Sequence, residues 1–346
     1  MHQVYLAKGV AATTAIEGNT LSEKEVHDAV EGKLKVSPSK EYLKQEVDNI
    51  IAACNEIGRS IVSEAPPEIN LELISSYNHQ VLDKLPLEKD VVPGELRGHQ
   101  VAVGDVYRAP DASNCRHLLE RLCDWLKSDD FKTTKGRETV HAVIKAIIAH
   151  LYLVWIHPFG DGNGRTARLL EFHILLAAGV PSPAAHLLSN HYNATRSEYY
   201  RQLDQASKSG GDVVPFLRYA LRGFVDGLHE QMEFVWNHVW FVVWRDHVHE
   251  LFQNRTHPSD LRQMQLALDL AAKEDAVAIS EIPELTPQLA KAYAGKTTKT
   301  IQRDLNRLQE LELIQRVGKK TRARVEIIFS FLPLQRISEK SVTKQQ

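Results

Sequence analysis

The stretch from about Glu138 to Trp155 limits the fold of this chain more than any other. Val140, Val143, Ile144, Ile147, Ile148, Leu151 and Tyr152 spread apolar side chains over most of a helical circumference. Such a helix has no polar face for water, so other elements of a larger domain must enclose it. Most of the remaining apolar spacing is helical too. Thr20 and Glu23 have the spacing of a capping box, which predicts a helix from Leu21 through Val26 and Val30. Ser39–Ile61 is a second expected helix, with Tyr42, Val47, Ile50, Ile51, Cys54 and Ile57 as its apolar stripe. Pro66 and Pro67 end it, and Ile69–Leu85 resumes the period up to Pro86.

Val91–Pro110 breaks the pattern. Pro93-Gly94 is a turn signal, and Val101, Val103 and Val106 flank Gly104-Asp105, which suits a short β-hairpin. Helical spacing returns at Ser113–Lys127, with Leu118, Leu119, Leu122 and Trp125 on its apolar side, and again at Arg165–Ala177, Ser197–Ser207 and Val213–Phe224. A further pattern runs from about Leu228 to Phe252 and places Trp236, Trp240 and Trp244 on one face. Those tryptophans read first as packing between helices, with a homodimer surface as the alternative. Asn254–Asp260 looks like a linker. The expected fold is mainly α with a small β-hairpin flap, followed by a winged helix-turn-helix. The expected boundaries are residues 1–92, 93–255 and 262–336.

Composition excludes several classes. The 43% hydrophobic and 25% charged fractions are those of an ordinary globular protein. Lys+Arg 42 against Asp+Glu 44 gives a formal charge of -2, so the chain as a whole does not attract nucleic acid or anionic lipid, although a local patch stays open. Cys54, Cys115 and Cys123 form neither a disulfide framework nor a zinc motif. Apolar stretches such as Ala146–Ile156 look too short to cross a bilayer, and no secretory pattern follows Met1. The expected compartment is reducing and cytoplasmic, with no membrane partner.

One segment carries the chemistry, from His157 through Pro158, Phe159, Gly160, Asp161, Gly162, Asn163, Gly164, Arg165, Thr166 and Ala167 to Arg168. It lies between the apolar helix and the next one. Gly162 and Gly164 allow consecutive backbone N–H groups to face an anion, and a helix start adds its unpaired N–H groups. Arg165 and Arg168 are three apart, so two forked donors can grip phosphoryl oxygens. Asp161 offers a hard oxygen ligand for Mg²⁺ beside them. His157 is the one group in the loop that accepts a proton near neutral pH, which suits a general base for an incoming hydroxyl. Asn163 can hold the loop through its backbone, donate to a phosphate, or both. The set is neither a P-loop nor a Rossmann fingerprint.

At these residues the chain resembles the Fic family, whose signature His-x-Phe-x-Asp/Glu-Gly-Asn-Gly-Arg-x-x-Arg is met at every fixed position. The likeness extends to Pro93-Gly94, Arg97, Val101, Val103 and Gly104 and covers roughly Thr13–Phe224. It implies an all-helical core and transfer of AMP from ATP to a Ser, Thr or Tyr hydroxyl of a protein substrate, with self-modification also open. In the implied roles His157 is catalytic and Asp161 holds Mg²⁺. Gly162, Asn163, Gly164 and Arg165 bind phosphates, and Arg168 places the γ-phosphate. The flap at Val101, Val103 and Val106 pairs with target backbone by strand addition. Thr13-Thr14-Ala15-Ile16-Glu17-Gly18 resembles the family's inhibitory motif, which implies that Glu17 competes with the γ-phosphate for Arg168. Some relatives use the same Glu to help remove the adenylyl group, and some transfer other phosphate-bearing groups. Tyr192 and Tyr199 fall where the resemblance places neighbours of the nucleotide. His141, His150 and His173 form no recognised ligand set.

The C-terminal part resembles the winged helix-turn-helix of bacterial regulators. Thr286 caps a helix with Pro287 at its first position, and Lys299–Leu311 follows as the next. Leu305, Leu308, Leu311 and Ile314 bury one side, while Lys299, Arg303 and Arg307 stay exposed. Thr321–Phe331 is expected as the hairpin, with Lys319, Lys320, Arg322 and Arg324 at the wing. Either duplex DNA, through Thr298, Lys299, Gln302 and Arg303, or a protein surface would suit this scaffold. A DNA-binding regulator with a nucleotide-sensing core is the alternative for the whole chain.

Overall fold

The structure is a computed structural model and describes residues 2–63, 66–103, 107–273 and 275–330. Helices dominate: α1 (His2–Ile16), α2 (Glu23–Val30), α3 (Glu41–Ser63) and α4 (Leu71–Leu82) precede a two-stranded hairpin of β1 (Ala102–Val103) and β2 (Tyr107–Arg108). α5 (Cys115–Lys127), α6 (Glu138–Ile156), α7 (Asn163–Ala177), α8 (Ser182–Ala185), α9 (Leu187–Ala194), α10 (Arg196–Lys208) and α11 (Val214–Leu251) follow. The last part holds α12 (Pro258–Ala271), β3 (Val277–Ala278), α13 (Pro287–Tyr293), α14 (Thr298–Glu310), β4 (Ile314–Val317) and β5 (Lys320–Ala323). The chain divides into two compact units, Met1–Gln231 and Met232–Gln346.

In the first unit α6 is the central helix, as its apolar circumference requires. Val143, Ala146, Ile147, Leu151 and Leu153 are buried in one core that also takes Val10, Val47, Ile74, Leu119, Leu170 and Phe216. Residues before and after position 92 therefore share that core. α6 is long and apolar enough to span a bilayer by composition, contrary to the expectation from Ala146–Ile156, but here it is enclosed by protein. α1 has no counterpart in the sequence reading. Its buried residues include Leu6, Val10, Thr13, Thr14 and Ile16, and they form no single apolar stripe. It packs against α2 and α9.

Three local expectations change. The first cap is Ser22 and not Thr20: its Oγ accepts from Glu25 N while the Glu25 carboxylate accepts from Ser22 N. Tyr42 is half exposed and leaves the α3 stripe to Val47, Ile50, Cys54 and Ile57. The patterns at Val213–Phe224 and Leu228–Phe252 form one continuous helix, α11. Gly223 and Gly227 do not break it, because a side chain there would collide with His191 and Leu187. These glycines admit neighbours and make no turn.

The second unit builds its own core from Trp244, Val248, Leu266, Leu270, Ile282, Leu289, Leu305, Leu308 and Ile314. Of the three tryptophans on α11, Trp244 is fully buried. Thr286 caps α13 by accepting from Leu289 N, with Pro287 at the first position. The strands pair antiparallel in the order β3-β5-β4. The hairpin is earlier than Thr321–Phe331: α14 stops at Glu310, Glu312 takes φ 59°, and β4 and β5 turn at Gly318. Ile314 therefore belongs to a strand. Buried Asp304 ties the unit together, accepting from Arg262 Nε at 2.7 Å, Gln263 Nε2 at 2.8 Å and the Tyr293 hydroxyl at 3.1 Å.

Candidate active site

The loop between α6 and α7 is fixed residue by residue. α6 ends as His157 enters the left-handed region at φ 47°, which turns the chain sharply. Arg97 braces the turn: its Nε donates to His157 O at 2.8 Å and its backbone N–H to Pro158 O at 2.9 Å. Its other guanidinium nitrogens go to His99 O at 2.7 Å and Pro110 O at 2.5 Å. Phe159 is fully buried and anchors the next step. Asn163 closes it, accepting from Phe159 N at 3.0 Å and donating to Phe159 O at 2.9 Å. The loop-holding role of Asn163 is thus visible.

Gly162 sits at φ 76°, where a β-carbon is strained, and α7 begins at the next residue, two positions before Arg165. The first N–H groups of α7 consequently lack helical acceptors and point into the loop. Asn78 on α4 supports the nest from below: its Nδ2 donates to Asp161 O at 2.9 Å, and its Oδ1 accepts from Gly94 N at 2.9 Å.

Both loop arginines are buried, and both meet carboxylates. Arg168 Nη2 donates to Glu17 Oε1 at 2.5 Å and to Thr13 O at 3.0 Å. Arg165 Nη1 donates to Glu46 Oε1 at 2.8 Å, and its Nη2 to Asp161 Oδ1 at 3.3 Å. Gly164 makes the first pairing feasible, because a β-carbon there would overlap Glu17 Oε1. Burial alone would push the Glu17 carboxyl up. The Arg168 charge and hydrogen bond, with Arg165 and Arg196 behind them, outweigh burial and hold it below the ordinary carboxylate value.

Burial pushes the His157 imidazole below its ordinary value, against the Val154 carbonyl; the Arg97 charge also lowers it. Its Nδ1 lies 3.2 Å from Val154 O, so Nδ1 carries the proton and Nε2 is the free acceptor of the neutral ring. Asp161 is the loop's exposed carboxylate, and it belongs to no cluster of three metal-ligating side chains among the described residues. Its Oδ1 accepts from Gly162 N. One accessible carboxylate beside an anion nest fits Mg²⁺, which takes most of its ligands from phosphate and water.

The flap residues form the β1–β2 hairpin, with Val103 opposite Tyr107 and Ala102 opposite Arg108. Val101 precedes it and its carbonyl accepts from Ala109 N, while Val106 lies outside the described residues. The Tyr107 hydroxyl donates to Trp155 O at 2.6 Å and ties the hairpin to the end of α6. Tyr192 and Tyr199 lie in the core, and Tyr199 is close enough to Arg168 and Glu17 to feel their charges. Both are buried and stack at 4.7 Å; their hydroxyls engage Glu171 at 3.0 Å and His150 at 2.9 Å. Sequence reasoning missed Asn78 and Glu46, and it named Arg97 without its bracing role.

The first unit is a helical domain in which a helix start, an imidazole, a carboxylate and two arginines are gathered around one turn. Residues 68–175 match the Fic/DOC family. The chain is 34% identical over 212 residues to protein adenylyltransferase Fic of Nematostella vectensis, covering 61% of this chain and 45% of that protein. It is 33% identical over 211 residues to protein adenylyltransferase fic-1 of Caenorhabditis elegans, covering 61% and 38%. The chain thus spans less than half the length of these curated relatives. Among solved structures, Fic-1 from C. elegans aligns with TM-score 0.52 at 30% identity, over 65% of this chain and 63% of that one. A Fic family protein from Desulfovibrio desulfuricans G20 aligns with TM-score 0.55 over 93% and 87% of the two chains, a likeness of fold at 22% identity.

Proposed function

We propose that the first unit is a protein adenylyltransferase held back by Glu17. His157 Nε2 takes the proton of a target Ser, Thr or Tyr hydroxyl, and the oxygen attacks the α-phosphorus of ATP. The bond to the β-phosphate oxygen breaks, and pyrophosphate leaves. The α7 nest at Gly162–Gly164 and the Arg165 and Arg168 guanidiniums carry the phosphate charge. Asp161 would hold Mg²⁺, which neutralises charge on the phosphates when bound. Val101, Val103 and Val106 supply the strand that the target segment extends.

The observation that carries this reading is the Glu17–Arg168 pair at 2.5 Å, on the helix that begins at the end of the loop opened by His157. A carboxylate stationed on a phosphate-binding arginine has an evident use where a phosphate must be kept from its reactive pose. A bare phosphate sensor needs no imidazole with a free acceptor nitrogen. Labelled-ATP transfer tests the reading: Glu17→Gly raises labelling of self and target, and His157→Ala abolishes it. Equal labelling by wild type and Glu17→Gly refutes the block. A mass gain other than AMP on the product indicates a different donor. Cytoplasmic residence, self-modification and homodimerisation belong to the same reading, and removal of AMP is a second outcome of the mass assay.

We read the second unit as a winged helix, supported by its α12-β3-α13-α14-β4-β5 order and the β3-β5-β4 sheet. One observation favours duplex DNA over protein as its partner. Residues 286–324 hold ten Lys or Arg against three Asp or Glu, in a chain of net charge -2. Lys299, Arg303 and Arg307 line the exposed side of α14, and Lys319 and Lys320 mark the wing turn. Binding that weakens steeply with salt, and less steeply in Lys299→Ala or Lys319→Ala, supports DNA. Salt-independent capture of a protein, without DNA binding, overturns it.

A further inference from the structure

The two outer nitrogens of Arg165 are held by carboxylates of different character. Glu46 Oε1 takes Nη1 at 2.8 Å with its side chain 16% exposed, whereas Asp161 Oδ1 takes Nη2 at 3.3 Å with its side chain 51% exposed. A charged hydrogen bond strengthens as it shortens and as water is excluded. The Glu46 contact is therefore the durable one, and the Asp161 contact is the exchangeable one. Glu46 is also fixed from behind. Asn19 Nδ2 donates to Glu46 Oε2 at 2.9 Å and to Leu43 O at 2.9 Å, while Asn19 Oδ1 accepts from Leu21 N at 3.0 Å.

We propose that Glu46, backed by Asn19, is a positioning residue that keeps the Arg165 fork in place while Asp161 exchanges Arg165 for a divalent cation. The inference rests on the adenylyltransferase reading, in which Asp161 is the cation's protein ligand. Arg165 is 4% exposed, and a buried guanidinium cannot give up its acceptors without large cost. With Glu46 present it retains one carboxylate after Asp161 turns to the cation. Without Glu46, Asp161 is the one carboxylate left to it among the described residues, and arginine and cation compete for that group. Glu46 thereby lowers the cation concentration the site needs. It does so from α3, outside the matched segment 68–175. Asn19 lies two residues after Glu17, so one short segment reaches both loop arginines: Arg168 directly and Arg165 through Glu46.

A purely structural role, in which Glu46 only neutralises a buried arginine, makes a different forecast. It lowers thermal stability and leaves the cation dependence alone. The test uses the full chain carrying Glu17→Gly, with and without Glu46→Gln. Mn²⁺ binding is followed by electron paramagnetic resonance with saturating α,β-methylene-ATP, alongside thermal melting. Glu46→Gln is expected to raise the half-saturating Mn²⁺ about tenfold, the scale of one charge-assisted hydrogen bond. Asn19→Ala moves it in the same direction by about threefold, since it loosens Glu46 and leaves the Arg165 pair in place; it carries the test should Glu46→Gln fail to fold. If the Glu17→Gly parent binds no Mn²⁺ with the nucleotide, the adenylyltransferase reading falls and takes this inference with it. If the parent binds Mn²⁺ and the variants titrate identically to it, whatever their melting temperatures, the positioning role is overturned.

Discussion

Glu17→Ala separates the energetic worth of the Glu17–Arg168 pair from its effect on catalysis. Arg168 is 2% exposed, and its Nη2 is shared between Glu17 Oε1 at 2.5 Å and Thr13 O at 3.0 Å. Its Nε and Nη1 have no hydrogen-bond partner among the described residues. Removing one member of a fully buried pair costs about 3–5 kcal/mol. Here the Glu17 side chain is 31% exposed, so its removal admits water to Arg168, and Thr13 O stays. The expected loss is then that of one charged hydrogen bond in its lower range, about 1.5–2 kcal/mol. For a unit of this size that lowers melting by about 3–8 °C. Alanine is preferred to glycine for this measurement because glycine adds its own cost of up to about 1 kcal/mol through the unfolded chain.

The same 1.5–2 kcal/mol is what a triphosphate must displace to reach Arg168, so apparent affinity for nucleotide rises about 10–30-fold in the variant. At saturating Mg²⁺ and α,β-methylene-ATP the linked stabilisation grows by that same amount, and the two proteins melt within about 2 °C of each other. Scanning calorimetry with and without the analogue reads both quantities. Identical melting without nucleotide, or an identical nucleotide-induced shift, refutes the idea that Glu17 and phosphate compete for one guanidinium.

Three further outcomes follow from the geometry. Asn78→Ala removes the partner of part-buried Gly94 N and Asp161 O, so stability falls by about 1–2 kcal/mol in a denaturant titration and nucleotide affinity falls with it. Burial lowers the His157 pKa from its ordinary value, so its base form persists to lower pH than a free imidazole's; the acid limb of transfer by Glu17→Gly is expected to fall below the midpoint of an unperturbed histidine, and a midpoint at or above that ordinary value would contradict this. Trp244→Ala empties a fully buried site and costs the second unit about 3–5 kcal/mol, measurable by circular dichroism melting.

What could be seen in the sequence depended on how far apart the partners lie. His157, Asp161, the glycines and both arginines fall within twelve consecutive residues, so their grouping was readable without a fold. Glu17 was readable through its motif. Glu46, Asn78 and Arg97 are ordinary polar residues of helices and turns until folding brings them to partners 119, 83 and 60 positions away. α1 was illegible for another reason: alanines and two threonines share its buried surface with Leu6 and Val10, so no apolar stripe marks a face. The capping box slipped because Thr20 with Glu23 and Ser22 with Glu25 satisfy the same spacing, and the Asn19 side chain caps Leu21 N before the helix begins. Tyr192 and Tyr199 went to the core because His150 and Glu171, both buried, needed hydroxyl partners there.

In the proposed reading, Gly164 is where inhibition and substrate binding converge on one point of the backbone. A residue with a β-carbon would exclude the Glu17 carboxylate and crowd Arg168 Nη1 at 3.1 Å. The same bare helix start lets an anion approach the first N–H groups of α7 closely. The tethered carboxylate and a phosphate oxygen are thus admitted by one missing side chain and attracted by one guanidinium. Sequence change can tune the strength of the block through Glu17, Thr13 or the α1 packing that presents them. In that reading its location is set by the turn from Gly162 to Arg165, the same turn proposed to bind phosphate.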